Sequence, residues 1–153
     1  FFNAHTGRRQ NNSFTSLEFL EQPFFRATEV LHLTNTRAGV WNSSTFRFFT
    51  NLFEIHFENN SQTDLPDDLF DNMPKLRVLW FERDELVTWR RRWLQNTPNL
   101  VEARFRFHDR LARIEPGSFD SSPSLQLLHF WINPVITLPA QLFGVTMPSM
   151  TEM

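Results

Sequence analysis

Three stretches of the chain, LPDDLFDNMPKLRVL, IEPGSFDSSPSLQLL and LPAQLFGVTMPSM, follow one order: an apolar residue, a short turn, a Phe, a Pro and a new apolar start. Aligned on that start they give Thr28, Leu52, Leu76, Leu100 and Leu125, with Met150 opening a sixth unit, at spacings of 24, 24, 24, 25 and 25. The same register orders other slots. The fourth holds Leu31, Ile55, Leu79, Ala103 and Leu128, and the sixth holds Leu33, Phe57, Phe81, Phe105 and Phe130. Fourteen of these fifteen residues are apolar, Thr28 being the exception, which against a 41% background is on the order of one in thirty thousand by chance. Units this short cannot each bury an apolar face alone. They must stack, and the stack has one continuous core.

The template LxxLxLxxN, followed by LPxxLF and P-x-L, resembles the leucine-rich repeat in its 24-residue form, typical of extracellular proteins such as Toll-like receptor ectodomains and lamprey variable lymphocyte receptors. The resemblance covers Thr28 to about Met150, and LEFLEQPFF (17–25) reads as the tail of a preceding unit, with Phe25 matching Phe49 and Met73. It implies an α/β solenoid, a right-handed superhelix with a concave parallel β-sheet and a mostly irregular or short-helical convex side. The chain divides accordingly into an N-terminal segment 1–27, five repeats (28–51, 52–75, 76–99, 100–124, 125–149) and the start of a truncated repeat at 150–153.

Two departures from the family pattern carry expectations. In the ninth slot the family favours an asparagine that bonds the backbone of the next turn. This chain has Thr36, Asn60, Asp84, His108 and Asn133 there, which predicts irregular turns in the units starting at Thr28 and Leu100. The family's cysteine-rich caps are also missing. With Phe1 at one end and Met147, Met150 and Met153 at the other, an interior slice of a longer array is expected, or one capped by Phe and Met.

Composition narrows the chemistry. There are 18 phenylalanines and no tyrosine, so most aromatic surface has no polar handle and should fill the core. Fifteen basic residues against 17 acidic ones leave a formal charge of -2, too little positive field to gather polyanions. The absence of cysteine removes zinc ribbons, thiol nucleophiles and disulfides. No apolar run approaches the roughly 20 residues that span a bilayer. The expected partner is therefore a protein ligand or co-receptor, with no nucleic acid, no membrane insertion within the chain and no cofactor.

The run TWRRRWL (88–94) tests that expectation, because three arginines between tryptophans suggest a nucleic-acid or lipid contact. In the repeat register Trp89 shares the slot of Trp41, Leu65, Ile114 and Leu138, and Trp93 that of Leu69 and Leu142, so both should be core. The arginines then face neighbouring turns. With units about 4.8 Å apart, Arg91 and Arg92 are expected beside Asp67 and Asp68, and Arg90 near Glu115, forming exposed pairs of roughly 0–1 kcal/mol each.

Alternation along each strand leaves the third, fifth and seventh slots on the solvent side of the sheet, where ligands of the family bind. The third column reads Val30, Glu54, Val78, Glu102, Leu127; the fifth His32, His56, Trp80, Arg104, His129; the seventh Thr34, Glu58, Glu82, Arg106, Trp131. His32, His56, Glu58, Trp80, Glu82, Arg104, Arg106, His129 and Trp131 are the expected ligand-binding residues, with Trp80 and Trp131 as exposed anchors, since Trp and Arg dominate interface hot spots. His32 and His56 share a column, flanked by Glu54 and Glu58. Two histidines without a fixed third ligand are expected to be simply solvated, so no metal site is assigned.

Asn11, Asn42 and Asn59 begin N-x-[ST] sequons and are candidate glycosylation sites. The leading expectation is a non-enzymatic binding module from a secreted or cell-surface receptor or immune-type protein. An intracellular adaptor or substrate-recruiting ligase subunit is the alternative, although such repeats run longer and carry a full outer helix. An enzyme is the weaker reading: only four glycines are present, with no phosphate loop or nucleophile motif, so no catalytic residue is assigned.

Overall fold

The computed structural model describes residues 8–9, 18–36, 41–131, 138–139 and 141–142. Its strands, in chain order, are β1 (Arg8–Arg9), β2 (Val30–Thr34), β3 (Glu54–Glu58), β4 (Val78–Glu82), β5 (Thr88–Trp89), β6 (Glu102–Arg106), β7 (Arg113–Ile114) and β8 (Leu127–Trp131). Six of them form one parallel sheet in the order β1-β2-β3-β4-β6-β8, while β5 and β7 make a second, two-stranded parallel pair. The register is the repeat itself: Leu31 pairs with Ile55, Ile55 with Leu79, Leu79 with Ala103 and Ala103 with Leu128. Strand β1 continues the series, since Arg8 pairs with His32, 24 residues on.

Strands β2, β3, β4 and β6 all bury their second and fourth residues and leave the other three half-exposed. That period of two separates one core face from one solvent face. Inward-facing Phe57, Phe81 and Phe105 are fully buried and form a ladder, with centroids 4.5 Å apart for the first pair and 6.5 Å for the second. Phe130 continues it, stacked 5.1 Å from Phe105 while remaining partly buried. Outside the sheet the returning chain is irregular, with short 3-10 helices at Glu18–Leu20, Pro23–Ala27 and Arg91–Leu94 and no α-helix among the described residues. A turn such as LPDDLF, six residues with a proline, leaves no length for one. The helical half of the expected α/β solenoid is thus reduced to single 3-10 turns.

Strands β2, β3, β4 and β6 end with the same backbone event. Asn35, Asn59, Arg83 and Phe107, all in the eighth slot, have φ between 53° and 59°. This left-handed residue bends the chain so that the ninth side chain points inward. Asn tolerates the conformation, whereas Arg83 and Phe107 adopt it at a cost of order 1 kcal/mol each. The ninth slots form a buried polar ladder in which the side chains of Asn60, Asp84 and His108 reach back to the preceding unit. Asn60 Nδ2 donates to Leu33 O (2.9 Å), and Asn60 Oδ1 accepts from the Thr36 amide (3.1 Å). The Asn60 amide in turn donates to Asp84 Oδ1 (2.7 Å). His108 lies with Nδ1 3.0 Å from Asp84 O and Nε2 3.0 Å from Phe81 O. The expected irregularity at Thr36 and His108 is therefore corrected: both join the ladder, the Thr36 hydroxyl by donating to Asn60 Oδ1 of the next unit (2.7 Å) and the His108 imidazole by reaching carbonyls of the preceding one, as the Asn60 amide does.

Trp89 and Trp93 are fully buried, ring centroids 4.8 Å apart and edge-on. The arginine pairings differ from those expected. Arg90 binds Asp64 (2.5 Å) and Asp67 (3.3 Å) of the preceding unit, and Arg91 binds Asp120 (3.1 Å) of the following one. Its amide also donates to Glu115 Oε2 (2.9 Å). Arg92 stays local, on Gln95 Oε1 (3.2 Å). Arg90 is the last extended residue before the 3-10 helix, and a helix of three residues per turn swings each following side chain by about 120°. That rotation sends adjacent arginines to opposite neighbours. Gly117, at φ 72°, makes room for the Arg91–Asp120 pair, since a Cβ there would lie 2.5 Å from Asp120 Oδ2. A double-mutant cycle on Arg90 and Asp64 is expected to give a coupling of about 0.2–1 kcal/mol that fades with salt. A larger coupling between Arg91 and Asp67 would contradict the observed pairing.

Candidate functional site

The solvent face of the main sheet brings the fifth column into one packed row. His32 and His56, paired residues of β2 and β3, have ring centroids 4.1 Å apart. His56 stacks on Trp80 of β4 at 4.0 Å and 18° between planes. The guanidinium of Arg104, next on β6, sits 4.4 Å from the centre of the Trp80 ring. In-register strands about 4.8 Å apart place consecutive side chains of a column at stacking distance, so planar groups in neighbouring units lie on one another.

The third column closes the row from the side. Trp80 Nε1 donates to Glu102 Oε1 (2.6 Å), and Arg104 Nε lies 2.5 Å from the same oxygen. Glu54 Oε1 sits 2.8 Å from His56 Nε2. Burial, and then the negative charge of Glu102, push the Glu54 carboxyl above its ordinary value. Trp80 is consequently half-buried, contrary to the expectation of a freely exposed anchor: its polar edge is bonded and both faces are covered. Glu54 and Glu102 are the members that sequence reading did not assign. Their signal was available, because each stands two residues before a fifth-slot residue and so on the same face of its strand.

The seventh column forms a second set. Arg106 pairs with Glu82 (3.1 Å) and places its guanidinium 5.5 Å from the Trp131 ring centre. Glu58 pairs with Arg83 at 2.6 Å. Trp131 is 56% exposed, the largest apolar group open to solvent on this face among the described residues. His129, paired with Arg104 across β6 and β8, is half-buried in the fifth column, two residues before Trp131 on β8. Of the sequons, Asn42 uses its Oδ1 to accept from the Ser44 amide (2.9 Å), and Asn59 Nδ2 donates to Asn35 Oδ1 (2.6 Å) at the edge of the solvent face. Asn11 lies outside the described residues.

Parallel strands in a register of 24 or 25 residues, a period-two core and a polar ladder through Thr36, Asn60, Asp84 and His108 leave one architecture. The fold is a leucine-rich-repeat-like solenoid. No protein-family model and no curated protein matches the sequence. Solved structures with a similar chain path include TLR13 in complex with ssRNA13, at a TM-score of 0.48 and 15% identity, over 82% of this chain and 24% of that one. The chain therefore spans about a quarter of the length of that protein.

Proposed function

We propose that this solenoid is a non-enzymatic protein-binding module of the 24-residue extracellular type. It is a piece of a secreted or cell-surface receptor or immune-type recognition protein, and it takes a protein ligand or co-receptor on the solvent face of its sheet. The observation that carries this reading is Trp131, 56% exposed beside Arg106 on the solvent face of the sheet. An exposed indole with an adjoining guanidinium is the composition of interface hot spots. The stacked row next to it is held in place before any ligand arrives, which lowers the ordering cost of binding.

The short outer turns favour this type over an intracellular adaptor with a full outer helix. Charge favours a protein over a polyanion: Arg104 and Arg106 are matched by Glu102 and Glu82, so the face has no basic track. The TLR13 structure is a complex with RNA; its ligand is not transferred to this chain. A glycan on Asn59, at the edge of the face, would restrict access near β3.

The test is a panel of immobilised extracellular proteins probed with the full chain, followed by titration of each binder. Trp131→Ala and Arg106→Ala are each expected to weaken binding at least 10-fold with unchanged circular dichroism, in line with hot-spot losses of about 2 kcal/mol. Equal affinity of both variants and the native chain would overturn the reading. So would a preference for single-stranded RNA with a steep salt dependence.

A further inference from the structure

Beyond its stacking role, the histidine end of the row has the chemistry of a metal site. His32, Glu54 and His56 each offer a ligand atom, and these atoms all lie within 4.8 Å of one another. All three are half-buried on the solvent face of β2 and β3. We propose that His32, Glu54 and His56 bind one divalent transition cation of the zinc class, with the remaining coordination position open to solvent.

Three features support the assignment. The first is the donor set. Two imidazoles and one carboxylate suit zinc and its neighbours, whereas calcium and magnesium take oxygen ligands, and this set is the one that zinc sites with an open position use. The second is placement. His32 and His56 are register partners on hydrogen-bonded strands, and Glu54 stands two residues before His56 on the same face, so the backbone that carries all three ligands is rigid. Bonds of about 2.0–2.1 Å in a tetrahedron need ligand atoms about 3.4 Å apart. His56 Nε2 and Glu54 Oε1 are 2.8 Å apart, and the whole set lies within 4.8 Å, a spread that brackets this spacing. The third is support from beyond the ligands. The stack of Trp80 on His56 fixes that ring's plane from the far side, as partners beyond the ligands do in metal centres.

The site is independent of any protein ligand, and its test uses Zn2+ alone. Calorimetric titration of the full chain with zinc sulfate at pH 7.5 is expected to show one saturable equivalent and a rise in the thermal midpoint, since an ion that binds only the folded state stabilises it. Binding should weaken in acid, where protons compete with the cation for the imidazoles. His32→Gln is the decisive variant, because it leaves the His56–Trp80 stack in place; it and Glu54→Gln are each expected to weaken zinc binding at least 10-fold. His129→Gln, in the same column three strands beyond His56, should bind as the native chain does. No saturable equivalent would overturn the proposal. So would full-affinity binding by His32→Gln, which would assign the zinc to other surface groups.

Discussion

Replacing Trp89 by alanine is expected to lower the unfolding free energy by about 3–5 kcal/mol, the usual cost of deleting a large buried aromatic ring. The magnitude follows from where the ring sits. Trp89 is fully buried, with ring centroids 5.5 Å from Phe81, 4.5 Å from Phe105 and 4.8 Å from Trp93, so it ties two strands of the sheet to the outer turn. In a stack, each unit is stabilised chiefly by its neighbours, and a cavity here weakens both interfaces of one unit. The indole N–H adds a second consequence. Trp89 Nε1 is buried with no acceptor among the described residues. Trp89→Phe therefore loses volume but also removes an unsatisfied donor, and is expected to cost less than half as much as alanine. Urea denaturation of the three proteins measures both differences. A cost below 1 kcal/mol for alanine would mean that the turn segment can collapse onto the sheet without the ring.

How far the molecule was legible beforehand follows from particular residues. Leu31, Ile55, Leu79, Ala103 and Leu128 are found in register on successive strands because apolar spacing is a one-dimensional property, and parallel pairing preserves it in space. Strand β1 escaped notice for the complementary reason: the sequence positions 24 residues before Leu31 and Leu33 hold Gly7 and Arg9, and no apolar signal marks them. Trp80 had the right face and the wrong exposure. Slot position tells which side of the sheet a residue leaves, whereas its resting contact depends on whether a neighbour offers a flat partner and an acceptor, as His56 and Glu102 do. The arginines of TWRRRWL show the same limit. Their burial order was readable from the repeat, but their partners depend on the rotation of a single 3-10 turn. His108 was read as a break in the asparagine ladder, yet the backbone bend before it brings any side chain with suitable polar atoms to the same carbonyls.

That ladder yields the second large effect. Asp84→Asn is expected to raise stability at neutral pH and to remove a pH dependence that the native chain carries. Burial pushes the Asp84 carboxyl up to about 7 from its ordinary 3.8, although the amides of Asn60 and Gln62 favour the charged form. A carboxyl held above its unfolded value contributes stability that is fully present below about pH 3.8 and is lost as the pH rises through about 7. The loss is on the order of a few kcal/mol, at about 1.4 kcal/mol per pH unit. Its physical origin is the second oxygen, Asp84 Oδ2, which is buried without a partner among the described residues. Asn60 and His108 each reach a carbonyl 27 residues back, Leu33 O and Phe81 O. By the same offset the acceptor for position 84 is Phe57 O, and an amide has the donor that a carboxylate lacks. His108 works in the opposite sense: burial lowers its pKa below 6.5, so its contribution is present above pH 6.5 and is lost as the pH falls through the folded value. It is common to both proteins and cancels in their difference. The gap in unfolding free energy between Asp84→Asn and the native chain should therefore widen in favour of asparagine from about pH 4 to pH 7 and level off above it. A gap independent of pH would show that the Asp84 carboxylate finds solvent or a counter-ion when it ionises.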